Sequence, residues 1–185
     1  MKRLCLLTVI FVVLTGCQSE DAQLLSGIRL REKMIAQRCT FVAEIIADYG
    51  DRTYTFSMGC STDPQGNVSF IVISPESISG IAGRLSATSG FLTFDDTALA
   101  FPLLADGEVS PVSAPWLLIN TLRAGYLTAA GEDGDAVRLT LNDSYEEDPL
   151  QIDVWLDENE LPQRAEILWQ GRRVLSIHIK DFAFV

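Results

Sequence analysis

Two alternating segments joined by a short polar turn are the feature that most restricts how this chain can fold. Residues 39–47 and 52–60 carry apolar side chains at every second position, and a turn-forming segment, residues 48–51, lies between them. A period of two is typical of strands that are buried on one face, and a short loop containing glycine favours a β-hairpin. The sequence therefore predicts a hairpin with one face in the core.

Pairing Ala47 with Arg52 sets the predicted register and brings Cys39 opposite Cys60 on the apolar face. Directly opposed cysteines are close enough for a disulfide, which for a loop of this length would contribute about 3 kcal/mol in the chain-entropy model. The alternative is two free buried thiols that act as small apolar side chains. A metal site is disfavoured, because neither cysteine belongs to a C-x-x-C pair and the single histidine lies far along the chain.

Two helical segments interrupt the strand patterns. A helix is predicted from Ser19 to about Gln37, and we expect one side of it to pack on a sheet. Residues 114–128 predict a second helix that is apolar around much of its circumference and must be largely buried. The sheet-facing side chains predicted for the first helix are Leu24, Leu25, Ile28, Met34 and Ile35.

The rest of the chain is rich in strand patterns, which together favour an α+β fold. A curved antiparallel sheet wrapped around central helices accommodates the buried helix, whereas a sandwich of two sheets would leave that helix without a place. Strands are predicted at residues 67–74, 84–88, 90–94, 97–101, 136–142, 150–157, 164–170 and 173–184.

The N-terminal segment is typical of an export signal. Lys2 and Arg3 precede an apolar run, residues 4–14, that is too short to span a bilayer as a helix. The run ends in Leu14-Thr15-Gly16-Cys17. Small residues let an extended backbone enter a peptidase site, and the cysteine thiol supplies the sulfur atom that becomes acylated. We expect residues 1–16 to be a signal peptide, residues 17–185 to form a single domain, and Cys17 to carry membrane-anchoring lipid such as palmitate.

The charge balance of the expected mature chain restricts its partners. Loss of residues 1–16 leaves 12 basic and 25 acidic residues, a net charge of −13. Nucleic acids and anionic lipid head groups attract basic patches, so both are disfavoured. The acidic residues gather beside predicted turns, where solvated loops are the simpler interpretation.

No sequence motif points to catalysis. The chain has no G-x-S-x-G elbow, no phosphate-binding glycine loop and no H-E-x-x-H helix. His178 lies between Ile177 and Ile179, and alternation places it on the opposite face, which favours a solvated strand residue over a catalytic base. We expect no enzymatic activity, no cofactor and no bound metal.

Several short motifs carry a resemblance that spans nearly the whole expected mature chain. The segment ending at Cys17, the strand Phe41-Val42-Ala43-Glu44 and the closing segments Val154-Trp155-Leu156-Asp157 and Leu161-Pro162-Gln163-Arg164 resemble the LolA/LolB/LppX-type lipoprotein-carrier superfamily. Residues 75–126 also resemble the GerS-like germination lipoproteins of spore formers, which share that fold.

The resemblance implies an incomplete β-barrel closed by helices, with an apolar cavity that accepts lipid acyl chains. An acyl chain needs only a continuous apolar lining and an opening. The alternative for each lining residue is that it simply fills the core. The candidate lining residues are Phe41, Phe56, Met58, Phe70, Trp116, Leu122, Trp155 and Trp169.

Two functions follow from the resemblance. The first is a non-catalytic, membrane-anchored lipoprotein that binds an apolar ligand, such as lipid or lipoprotein acyl chains, outside the cytoplasm. It would be attached to the cell membrane, or to the outer membrane of a host that has one. The second is an accessory lipoprotein that docks on a cell-envelope protein, such as a peptidoglycan-processing amidase in spore germination. A carrier requires an accessible cavity, whereas a docking protein requires a filled core and an exposed apolar or edge-strand surface.

Overall fold

The fold is described by a computed structural model, which covers residues 17–87, 90–94, 97–101, 104–105 and 108–185. Thirteen strands are present in this part of the chain, of which eleven form one antiparallel sheet and two form a short ribbon. The eight strand segments predicted beyond the first hairpin correspond to strands of this sheet. The strands are β1 Cys39–Asp48, β2 Thr53–Thr62, β3 Val68–Ser74, β4 Ala82–Leu85, β5 Gly90–Phe94, β6 Thr97–Phe101, β7 Leu104–Ala105, β8 Glu108–Val109, β9 Tyr126–Asp133, β10 Ala136–Asn142, β11 Gln151–Leu156, β12 Pro162–Trp169 and β13 Arg172–Phe184.

The large sheet consists of two meanders joined at one seam. Its strand order is β6-β5-β4-β3-β2-β1-β13-β12-β11-β10-β9, so every neighbouring pair is consecutive in sequence except β1 and β13. That central pair runs from Cys39 opposite Phe184 to Ala47 opposite Leu175. Strands β7 and β8 pair only with each other.

Two α-helices, α1 Cys17–Ala36 and α2 Ala114–Ala124, pack on this sheet. Helix α1 contacts β9 and β10, whereas α2 contacts α1, β10 and β3. Strands β3 and β10 are six steps apart in the sheet, which in a flat sheet would separate them by about 29 Å. A helix is only about 10 Å wide, so the sheet must curve around α2. The α+β architecture, a curved antiparallel sheet that forms an incomplete barrel with helices, is confirmed.

The hairpin register differs from the prediction by two residues. The structure pairs Asp48 with Thr53 and Ala47 with Tyr54, so the turn covers residues 49–52 rather than 48–51. The Tyr49 amide donates to the Arg52 carbonyl at 3.0 Å, and the Gly50 amide donates to the Asp48 carboxylate at 2.8 Å. A shift of two residues leaves every side chain on its predicted face, so the core face is as expected although the pairing was wrong.

The predicted sheet-facing side of α1 was largely wrong. Leu25, Ile28 and Ile35 are exposed, whereas the buried side includes Leu30 and Met34 together with the polar residues Gln23 and Ser26. Gly27 explains this orientation, because a Cβ at that position would lie 3.1 Å from Leu127 and 3.2 Å from Leu139. The helix approaches β9 and β10 along the side that carries Gly27, Leu30 and Met34, and the exposed apolar side chains lie on the opposite side.

Helix α2 ends earlier than predicted, and residues 126–128 belong to β9. Gly125 terminates the helix with extended backbone torsion angles. A Cβ on Gly125 would lie 2.7 Å from the Thr121 carbonyl oxygen and 2.9 Å from the Asn142 carbonyl oxygen. The close approach of helix and sheet at this residue explains why the chain turns there.

Candidate functional site

The concave face of the sheet, here called the inner face, is lined by apolar side chains. They come from both meanders, because alternation along most strands directs apolar side chains to this face. The continuous apolar surface is what an acyl chain or a packed helix requires. The buried inner-face residues include Ala43, Ile45, Val68, Val72, Leu139, Leu141, Ile152, Val154, Leu156, Ala165, Ile167, Leu175, Ile177 and Ile179.

Helix α2 occupies this face. Trp116, Leu118, Ile119 and Leu122 are buried, as are most of the remaining residues of the helix. The prediction that this helix would be buried is confirmed. The helix also carries a buried polar residue, Thr121, whose hydroxyl oxygen has no hydrogen-bond partner among the described residues. A buried hydroxyl without a partner costs about 1–3 kcal/mol.

Two arginines connect the C-terminal ends of the helices. Arg31 of α1 donates to the carbonyls of Leu122 at 3.1 Å and Gly125 at 2.5 Å, where α2 ends. In the reverse direction, Arg123 of α2 donates to the Met34 carbonyl in the last turn of α1. The last carbonyls of a helix lack partners within the helix, and a cation is favoured near them. Each helix therefore caps the other, an arrangement that no pattern in the sequence indicated.

Seven of the eight predicted lining residues lie on or against the apolar core. Trp169 is partly buried against the core cluster, and the other six belong to that cluster. They come from β1, β2, β3, β12 and α2, so the fold does bring them to one side of the sheet. Phe41 stacks on Phe182 of β13, with ring centroids 5.7 Å apart. The six core members are Phe41, Phe56, Met58, Phe70, Trp116 and Leu122.

Trp155 is the exception, because it lies on the outer face. Its ring is placed between two guanidinium groups, that of Arg138 at 5.3 Å and that of Arg164 at 4.4 Å from the ring centroid. Its indole nitrogen donates to Asp133 at 2.7 Å. The alternation of Ile152, Val154 and Leu156 already assigns this position to the opposite face, and cation–π contacts account for its burial there.

The outer face beside Trp155 carries paired charges. Asp153 is buried and accepts a hydrogen bond from Arg138 at 2.5 Å. Burial raises the pKa of Glu166, but hydrogen bonds from Arg164 and Arg173 outweigh this effect and hold the pKa below its usual value. These carboxylates are neutralised by their partners, which favours a structural role for them over an acid or base function.

Cys39 and Cys60 are buried free thiols in the structure. The register places Phe41, not Cys39, opposite Cys60. The backbone amide of Cys39 donates to the Thr62 hydroxyl at 2.8 Å. Burial raises the pKa of both thiols, so they remain protonated near neutral pH and behave as small apolar side chains.

Open clefts among the described residues include three with volumes of about 360 to 440 Å³. One of about 360 Å³ lies over β1 and β2 near Asp181, and one of about 430 Å³ lies beside Gly131 and Arg138 on the outer face. A third, of about 440 Å³, is lined by Asp133, Asp135, Asp157 and Glu158 at the strand ends. Within the described ranges, no group of three or more histidine, cysteine or acidic side chains is placed to hold a metal ion.

Comparison with known proteins found similarity among solved structures. No family model matches the chain, and no curated protein matches it. Among solved structures, a LolA superfamily protein from Nitrosomonas europaea is 9% identical over 86% of this chain and 93% of its own, with a TM-score of 0.44. A DUF1329 family protein from Desulfovibrio piger is 10% identical over 90% and 93%, with a TM-score of 0.49. Lipoprotein LppX from Mycobacterium tuberculosis is 11% identical over 86% and 93%, with a TM-score of 0.40.

The matched structures include members of the LolA/LppX-type superfamily that the sequence motifs resemble. The GerS-like branch stays a prediction. Similarity at this level assigns neither a ligand nor a function to this chain.

Proposed function

We propose that this protein is a non-catalytic, lipid-anchored lipoprotein of the cell envelope that binds an apolar chain on the inner face of its sheet. The observation that carries the proposal is the continuous apolar inner face with a mostly apolar helix, α2, lying on it. An acyl chain needs no hydrogen bonds from its site, so aliphatic and aromatic side chains are sufficient to bind it. The ligand class is lipid, or the acyl chains of another lipoprotein.

Helix α2 fills the inner face, so the accessible cavity that a carrier requires would form only when α2 shifts. Its sides contact the sheet through apolar residues. The hydrogen bonds from charged side chains that connect it to α1 involve Arg31 and Arg123 and lie at its C-terminal end. Apolar contacts are not directional, so a helix held in this way can shift and let an acyl chain replace part of its contact area. The buried hydroxyl of Thr121, which has no hydrogen-bond partner among the described residues, destabilises α2 in this position and lowers the free-energy cost of a shift.

The membrane attachment is proposed from sequence. Cleavage before Cys17 would remove residues 1–16, which lie outside the described residues, and Cys17 is the first residue of α1. Neither described helix is long and apolar enough to cross a bilayer. Several acyl chains on one cysteine would give stable anchoring, whereas a single chain gives only marginal binding. The domain would then remain attached to its membrane and function outside the cytoplasm.

Native mass spectrometry combined with lipid extraction tests the proposal. The protein is purified from its own host as a Cys17→Ser variant, so that its own anchor contributes no lipid. We expect a mass increment that corresponds to a non-covalently bound acyl-chain lipid. Arg123→Met, which loosens the end of α2, should change the loaded fraction, whereas Arg52→Met on the exposed hairpin turn should leave it unchanged.

A protein that is folded but empty in every preparation would contradict the proposed ligand. That result would favour the docking role, for which Ile71 and Ile73 on β3 are exposed apolar candidates. Capture of an envelope amidase by the wild-type protein, and its loss on Ile71→Asp substitution, would then establish that role.

A further inference from the structure

Helix α1 exposes three large apolar side chains although it already packs on the sheet. Leu25, Ile28 and Ile35 are 51%, 49% and 55% exposed. Their spacings of three and seven residues place them on one side of the helix, roughly opposite the buried Leu30 and Met34. We call these three residues the outer stripe.

The position of Cys17 indicates what covers the outer stripe. Cys17 begins α1, so no linker separates the expected lipid attachment from the helix. With a rise of about 1.5 Å per residue, Leu25 lies about 12 Å and Ile35 about 27 Å from Cys17 along the helix axis. A helix whose first residue is held at the membrane interface keeps all three side chains at that interface only when it lies along the surface.

The helix is firmly fixed to the domain, so its orientation would orient the whole molecule. Ser26 donates to Glu160 at 2.9 Å, and Arg29 donates to the other carboxylate oxygen of Glu160 at 3.1 Å. Gln23 donates to Glu132 at 3.0 Å. Together with the bonds of Arg31 and Arg123 described above, these contacts extend from Gln23 to Met34 and oppose detachment of the helix.

We propose that α1 lies along the surface of a zwitterionic bilayer with the outer stripe against lipid. This inference rests on the proposed lipid anchor and goes beyond it, because an anchor alone leaves the orientation free. The negative net charge disfavours an anionic surface. Asp21 and Glu32 are exposed on the same side of the helix as the stripe, so their carboxylates must remain among the head groups, and the helix lies in the interface rather than in the hydrocarbon.

Site-specific labelling of the lipidated protein tests this orientation. An environment-sensitive fluorophore is attached at Ile28→Cys, and in a separate protein at Ile73→Cys. Ile73 is the matched control, because it is also apolar and also 49% exposed but lies on β3. The native thiols Cys39 and Cys60 are buried and should not react under native conditions. Both labelled proteins are bound to phosphatidylcholine vesicles that contain a nitroxide-labelled lipid.

We expect the probe at position 28 to shift its emission to the blue and to be quenched by the nitroxide, and the probe at position 73 to show neither change. Glu32→Gln should increase the quenching at position 28, because it removes one of the two charges that limit insertion. Equal quenching at both positions, or none at position 28 while the protein still floats with the vesicles, would overturn the orientation. Failure to float would instead contradict the anchor.

A second copy of the chain is the competing occupant of the outer stripe. If a blue shift at position 28 appears without vesicles and depends on protein concentration, the stripe is a dimer interface and the proposed orientation is wrong. Circular dichroism of each variant controls for folding, which substitutions at exposed positions should leave unchanged.

Discussion

Helices α1 and α2 contact each other and the same sheet, but they are held by different kinds of interaction. Helix α1 buries polar residues that bind carboxylates of distant turns and strands, and it leaves apolar residues exposed. Helix α2 buries apolar residues on most sides and forms charged bonds only at its end. Directional hydrogen bonds fix the position of α1, whereas non-directional apolar contacts stabilise α2 without fixing its position. The comparison makes α1 the fixed element, and under the proposed function α2 is the element that would adapt to an acyl chain.

The largest expected effect is on the free energy of unfolding, because a buried residue of α2 and a half-exposed residue of α1 should differ in what their truncation costs. Leu118→Ala in α2 should lower the free energy of unfolding by about 2–5 kcal/mol, because Leu118 is fully buried. Ile28→Ala in α1 should change it by about 0.5 kcal/mol or less, because that side chain is half exposed. Urea denaturation of the two variants measures the difference. Equal losses would show that α1 buries its outer stripe in solution.

Arg123→Met tests the charged connection between the helices. The variant keeps the apolar stem of the side chain but removes the donors to the carbonyls of Met34 and Pro64. Hydrogen bonds from charged groups contribute about 1.5–3 kcal/mol, so we expect a loss in that range by denaturation. Arg52→Met is the control, because Arg52 is highly exposed and should cost almost nothing. If both variants were equally stable, the connection between the helices would be unimportant.

Thr121→Val should stabilise the protein by about 1 kcal/mol, because it replaces a buried hydroxyl that has no partner with a methyl group of similar size. If α2 must move to admit an acyl chain, the same variant should also bind less lipid. Thermal denaturation and native mass spectrometry measure the two effects. A destabilised variant would indicate that the hydroxyl has a partner in solution.

The smallest expected effect concerns the turn that holds α1. The hydrogen bond from Arg29 lowers the pKa of Glu160 from its ordinary value of 4.5 to about 2. A carboxyl whose pKa is lower in the folded state stabilises that state above pH 4.5, and this contribution is lost as the pH falls from 4.5 towards 2. Both side chains are partly exposed, so the contribution is modest.

Glu160→Gln should therefore reduce the decline in stability over that pH range and have less influence at pH 3 than at pH 7. Denaturation curves at several pH values, recorded for the variant and the wild type, provide the comparison. A pH dependence identical to that of the wild type would mean that the Arg29 contact does not persist in solution.

Patterns within one segment predicted much of the fold and of the site. Alternation assigned the faces of β1 and β2, and the apolar circumference of residues 114–128 predicted the burial of α2. The features that sequence could not show depend on residues far apart in the chain. The orientation of α1 depends on Glu160, and its close packing depends on Leu127 and Leu139. Neither partner can be inferred from the pattern of the helix itself.

The predictions for the face of Trp155 and for the position of the hairpin turn were wrong for local reasons. A large aromatic residue was assigned to the core although its neighbours had already fixed its face, and the two flanking arginines that cover it come from other strands. The turn moved by one position because a backbone bond between Tyr49 and Arg52 set its boundaries. Alternation fixes the face of a residue, but only turn geometry fixes its partner.

Because β1 pairs with β13, the large sheet can be completed only after nearly the whole chain is present. Within each meander, successive strands pair with their neighbours in sequence, so each half can assemble by short-range steps. The seam joins the earliest strand of the sheet to the latest, a long-range contact of the kind that forms slowly. A chain delivered N-terminus first through an export channel would therefore expose the open edge of β1 until β13 emerged. The two halves could combine only after translocation was nearly complete, which would keep the helix-covered interior open until the end of delivery.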